Sequence, residues 1–88
     1  MRNEDLEEKY AKYIGNLKNA FSSLQILNFS GKVEEIVDLA KRYFKDAEYF
    51  KEKKEVVTAL ISLAYSEGLL DALKILNYIN FSWRLNNE

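Results

Sequence analysis

The chain has 88 residues with no Cys, His or Pro, and its 13 basic and 14 acidic side chains leave a net charge of -1. That length suits one small domain, 1–88, which buries only about 60% of its unfolded surface; disulfides and standard structural zinc sites are excluded, so packed helices and self-association must supplement the core. Without a basic excess, a His- or Cys-based nucleophile system or a Gly-rich phosphate loop, nucleic-acid binding and nucleophilic catalysis are not expected.

The opening residues are acidic and polar and offer no signal-peptide apolar stretch, which predicts a cytoplasmic protein. The first helix is expected over about residues 4–27 on a seam of Leu6, Tyr10, Tyr13, Leu17, Ala20, Leu24 and Leu27, widened by Ile14 and Phe21. Asn3 is its expected cap, with Glu4 and Asp5 in the first turn, where the helix dipole favours acids.

A second helix over about 31–51 follows from Val33, Ile36, Ala40, Tyr43, Ala47 and Phe50, flanked by Val37 and Phe44, with Ser30 as N-cap. Asp38 with Arg42 and Glu48 with Lys51 are candidate outer-face pairs. The charged run Lys51-Glu52-Lys53-Lys54-Glu55 marks the next turn. A third helix over about 54–79 is apolar almost all round, and its expected inward face is Val57, Leu60, Ile61, Ala64, Gly68, Ala72, Ile75 and Ile79. Gly68 in mid-helix predicts close helix approach.

Leu24 to Ser30 and Leu76 to Ser82 are similar, Leu-Gln-Ile-Leu-Asn-Phe-Ser and Leu-Asn-Tyr-Ile-Asn-Phe-Ser. Both read as helix stops with Asn28 and Asn80 in the left-handed position and the next Phe closing the cap. Short connections then make the fold all-α, an antiparallel up-down-up three-helix bundle, with 80–88 as a C-terminal tail. The third run has the length of a membrane span, but Glu67, Asp71 and Lys74 interrupt it, so it reads as a helix buried in the bundle and not in a membrane.

Tyr43-Phe44-Lys45-Asp46-Ala47-Glu48-Tyr49-Phe50, the charged turn, Ala64-Tyr65-Ser66-Glu67-Gly68-Leu69-Leu70-Asp71-Ala72 and the aromatic ending Phe81-Ser82-Trp83 resemble the archaeal domain-of-unknown-function family 357. The likeness covers residues from about 40 to 83, more loosely upstream. It implies a small helical bundle in an archaeal cytoplasm and no assigned activity. The turn departs from the pattern, since Glu52-Lys53-Lys54 stands where a Gly is usual.

Few groups offer chemistry. Asp46, Glu67 and Asp71 are the candidate ligands for a hard cation such as Mg²⁺, giving one alternative function, a metal-dependent carboxylate-site hydrolase of a nucleotide-like substrate. The acids read better as partly buried hydrogen-bond acceptors or rim charges, with Asp71 holding a structural bond near the second helix, so no cofactor or metal is expected. Lys41, Lys45, Lys51, Lys53 and Lys54 suggest a second alternative, an RNA-binding accessory protein, but acids interleave them. The main expectation is a non-enzymatic protein-interaction or self-association module, a homodimer or higher oligomer. It pairs through Val56, Leu63 and Leu70 on the far side of the third helix, with Trp83 at the tail folding back over the bundle or reaching a partner.

Overall fold

The computed structural model describes residues 2–84 and is an all-α bundle of three helices, α1 (Asn3–Ser23), α2 (Gly31–Glu52) and α3 (Val56–Ile75), with a two-residue antiparallel ladder of β1 (Gln25–Ile26) and β2 (Ile79–Asn80). The core is drawn from all three helices and from β2 with the residues after it: Tyr10, Ile14, Leu17 and Ala20 of α1, Val33, Val37, Ala40 and Ala47 of α2, Ala59, Leu63, Leu70 and Leu73 of α3, then Ile79 and Phe81. The seams expected for α1 and α2 are therefore the buried ones, apart from the exposed Tyr13 and Leu27. Leu85 and the residues after it lie outside the described residues, as does the last part of the expected tail.

Each helix begins and ends for a local reason. Arg2, not Asn3, occupies the cap position of α1, and Asn3 is already helical. Ser30 caps α2 as its sequence suggests, its hydroxyl accepting from Val33 N–H at 3.2 Å. α2 stops in a Schellman motif: Lys54 takes φ 62°, its N–H bonds Lys51 C=O at 3.0 Å, and Glu55 N–H reaches Phe50 C=O at 2.9 Å. α3 stops the same way at Asn77, φ 62°, with Asn77 N–H on Lys74 C=O and Tyr78 N–H on Leu73 C=O, both at 2.9 Å.

These stops correct the expected ends. α1 and α3 finish at Ser23 and Ile75, earlier than 27 and 79, and neither Asn28 nor Asn80 is left-handed. The two similar segments that follow are extended and pair with each other, Gln25 opposite Asn80 and Ile26 opposite Ile79. Once a helix is capped, its trailing N–H and C=O groups need new partners, and two strands leaving parallel helices at one end of the bundle supply them. Phe81 is buried there, whereas Phe29 stays in solvent.

α3 is the central helix, packed extensively on α2 and less so on α1. A buried bond from the Ser66 hydroxyl to Ala40 C=O, 2.8 Å, fixes its register on α2. That register sets Ala47 opposite Ala59, and all four residues are fully excluded from solvent. The small residues buried between α2 and α3 are therefore these Ala and Ser, and not Gly68 as expected. Gly68 is exposed, and a Cβ built on it meets nothing within 4 Å.

The orientation of α3 is thus opposite to the expected one. Leu63 and Leu70, 2% and 0% exposed, fill the wedge between α1 and α2, and Val56 packs against the same core. Val57, Ile61, Ala64, Gly68, Ala72 and Ile75 face outward. Long leucines reach into the wedge where the Gly and Ala of the opposite strip would leave voids, and a cavity is costly there. Of the expected inward set only Leu60 is partly covered, and Ile79, already beyond the helix, is buried from β2.

Candidate functional site

Among the described residues the outward face of α3 is left unpartnered. Ile61 is 52% exposed, Tyr65 60% and Ile75 79%, with Val57 beside them. Along its α2 side runs an apolar groove of ≈ 440 Å³ whose walls are Leu39 and Tyr43 of α2 and Tyr65 and Leu69 of α3, with Gly68 in the lining. Tyr43 and Tyr65 stack across it, ring centroids 5.3 Å apart and planes 21° from parallel. A second hollow of ≈ 280 Å³ lies between α3 and α1, lined by Lys9, Tyr13, Leu17, Leu60, Leu63, Ala64 and Glu67.

The acids do not assemble. Glu67 stands at the α1 side of the face, Asp71 one turn beyond it, and Asp46 is on the other side, sharing a surface hollow with Arg42 and Lys45. Among the described residues no three carboxylates come together. Asp71 is half-buried and makes no hydrogen bond or ion pair with another described residue, so the structural bond toward α2 expected of it is not formed. Glu67 is held above the ordinary carboxylate range, first by partial burial and then by the neighbouring Asp71 charge.

The charge pairs expected on the outer face of α2 are also not formed. Among the described residues the ion pair within 4 Å joins α2 to α1: Lys51 Nζ to Glu7 Oε1 at 2.8 Å, with the same ammonium 5.5 Å over the Tyr10 ring. Burial, then Glu48 and Glu7, push the Tyr10 phenol up, so it stays neutral. Lys41, Lys45, Lys53 and Lys54 are exposed, Lys53 with its ammonium 5.5 Å from the Tyr49 ring centre.

The tail folds back. Trp83 is partly buried against the core and meets Phe81 edge to face at 4.7 Å. Asn19 donates its amide N–H to Trp83 C=O at 3.0 Å, the Ser23 hydroxyl accepts from Ser82 N–H at 2.9 Å, and Lys74 donates to Phe81 C=O at 2.8 Å while standing 4.4 Å from the Phe81 ring centre. These contacts seat the segment that was expected either to fold back or to reach a partner.

With this geometry, comparison with protein families gives a match to the model described as Protein of unknown function (DUF357), over residues 12–79. The chain belongs to that family. The match begins in α1, well upstream of the residues that carry the resemblance in the sequence, and ends before Phe81, Ser82 and Trp83. The departure at the turn also has a physical meaning: Lys54 occupies the left-handed position that a Gly adopts without strain. Comparison with curated proteins and with solved structures returned no match. By length and hydropathy α3 would also suffice to cross a membrane, and a third of that window, 33%, is buried inside the bundle.

The sequence reading missed which strip of α3 is free. The signal was present in the serines: Ser62 and Ser66 mark the buried side, where hydroxyls can reach backbone carbonyls, and the strip without them is the outward one.

Proposed function

We propose that this protein is a non-enzymatic interaction module that docks a partner helix on the outward face of α3. The observation that carries it is a helix-packing seam with no helix on it. Val57, Ile61, Ala64, Gly68, Ala72 and Ile75 recur at steps of four and three, the spacing with which one helix meets another, and all six are exposed. Large contiguous apolar surface on a small domain marks an interaction site, and the groove beside Gly68 offers the hole into which a partner's side chain would fit. The carboxylate-hydrolase and RNA-binding alternatives have no comparable support, since the acids lie on both flanks of the face and the lysines are interleaved with acids.

The test uses an apolar dye, 1-anilinonaphthalene-8-sulfonate, on dilute protein. The wild type is expected to enhance its fluorescence, and Ile61→Asp with Tyr65→Asp to remove most of that enhancement without lowering the melting temperature. Enhancement that survives both changes places the apolar surface elsewhere; a collapse in melting temperature makes the face part of the fold and ends this reading.

A further inference from the structure

We infer that the face is occupied by a second copy bound antiparallel, with a two-fold axis crossing α3 at the level of Ser66. The inference rests on the preceding reading of the face and adds the partner, its direction and its register.

Two patterns on separate helices share one centre. On α3 the exposed seam is balanced about Ser66: Ala64 and Gly68 lie two residues to either side, Ile61 and Ala72 five and six, Val57 and Ile75 nine. On α2 the exposed charges are balanced about Ala40 and opposite in sign: Asp38 and Arg42 at two residues, Glu35 and Lys45 at five, Lys32 and Asp46 at eight and six. Glu35 and Asp38 share a surface with Arg42 and Lys45, and these two with Asp46 adjoin the groove through Leu39 and Tyr43. The centres lie at the same level, because the Ser66 hydroxyl donates to Ala40 C=O at 2.8 Å. None of these charged groups has an ion-pair partner among the described residues.

A two-fold axis across α3 keeps each flank on its own side and reverses its height. Asp38 then comes level with Arg42 of the other chain, Glu35 with Lys45 and Lys32 with Asp46, so a flank that is neutral as a whole is complementary to its own copy. On the α1 side the same operation carries Lys9, which lines a hollow with Leu60, toward the level of Asp71. Glu67, half-buried and close to the axis, stays out of these pairs. An axis along α3 fails, since it sets Asp38 and Glu35 of one chain level with Glu67 and Asp71 of the other, acid against acid. A partner of a single charge sign fails as well, since the α2 flank repels it as much as it attracts it. A second copy carries the matching order by construction, and each seam residue meets its counterpart reciprocally, as an isologous contact requires. Ala64 and Gly68 at the centre let the helices approach, a Cβ on Gly68 meeting nothing within 4 Å.

Because the chain has no Cys, single-cysteine variants report the direction. Sedimentation of the full chain across micromolar to sub-millimolar concentration is expected to show a dimer, and mild oxidation of Ile61→Cys mixed with Ala72→Cys to give the 61-to-72 disulfide. Self-disulfides at both positions, with no mixed product, overturn the antiparallel arrangement. Glu35→Lys with Asp38→Lys should weaken the dimer about tenfold by setting bases against Arg42 and Lys45, and adding Arg42→Glu with Lys45→Glu should restore it. A quadruple variant that dimerises no better than the double overturns the flank pairing. A wild-type monomer throughout overturns the second copy as occupant, and the dye result then decides separately whether the face serves a different partner.

Discussion

α2 and α3 are antiparallel neighbours of 22 and 20 residues, yet only in α2 do hydropathy and burial coincide. In α2 the apolar seam is the buried seam, and the charged side is wet. In α3 both sides are apolar, so hydrophobicity does not select between them, and the choice falls to volume and to hydroxyl satisfaction. Leucines fill the wedge, Ser66 bonds across to Ala40, and Val57, Ile61, Ala64, Gly68, Ala72 and Ile75 are left outside. An amphipathic helix announces its orientation; an all-apolar helix announces only that it has two contacts to make.

The sharpest way to break that contrast is to truncate one residue on each side of α3. Leu70→Ala should cost about 2–5 kcal/mol by opening a cavity in the wedge, whereas Ile75→Ala should stay within about 0.5 kcal/mol in dilute protein. Urea denaturation of both variants checks the assignment, and equal losses would return the outer strip to the core.

The caps supply the next largest effect. Lys54 holds a left-handed conformation that costs an ordinary residue about 1–2 kcal/mol, so Lys54→Gly is expected to raise stability by up to about that amount. A melting temperature unchanged by this substitution would mean that another part of the turn compensates. Gly68→Ala follows at about 0.8–1.0 kcal/mol of stabilisation, because an exposed mid-helix Gly gives up helix propensity and a Cβ meets nothing there. Thermal melting at low concentration separates this gain from any effect on association; destabilisation would show that α3 packs on its outer side within the chain.

The smallest expected effect is electrostatic. Glu67 binds its proton more tightly in the folded state than its ordinary value of 4.5 implies, through burial and then Asp71. The folded state therefore gains relative to the unfolded one as pH falls through the raised value toward the ordinary one, and loses that gain as pH rises again. Glu67→Gln should flatten the melting temperature across that window and leave it no lower at neutral pH. A steeper profile in the variant would mean that the carboxylate is stabilised by its surroundings.

How much of this was legible follows from the same contrast. The helix count, the seams of α1 and α2 and the Ser30 cap follow from periodicity and cap chemistry, whereas for Trp83 the sequence left fold-back and a partner contact both open. The phase of α3 does not follow from them, because every turn of it offers an apolar residue to either side. The helix ends misled for a different reason. Asn28 and Asn80 stand in matching sequences and look like caps, but Lys54 and Asn77 hold the left-handed positions, one of them a residue type with no preference for it. The candidate site was half visible: an unused apolar strip was foreseen on α3, on the wrong side, and Glu67 and Asp71 were correctly kept together while Asp46 does not join them.

The clasp at the end of the bundle has a consequence for motion. It joins positions 64 apart in the chain through Asn19 and Trp83, and its ladder is only two residues long per strand. Ile79 and Phe81 anchor that unit in the core, while its short ladder protects few amides, so its edge should open by itself without the helices separating. Native-state hydrogen exchange would then find Leu27 and Asn28, whose N–H groups share Tyr78 C=O, exchanging well before the interior amides of α2 and α3. Trp83, the single tryptophan of the chain, sits on that clasp, so its emission would report the rapid opening of one corner while the rest of the molecule stays closed.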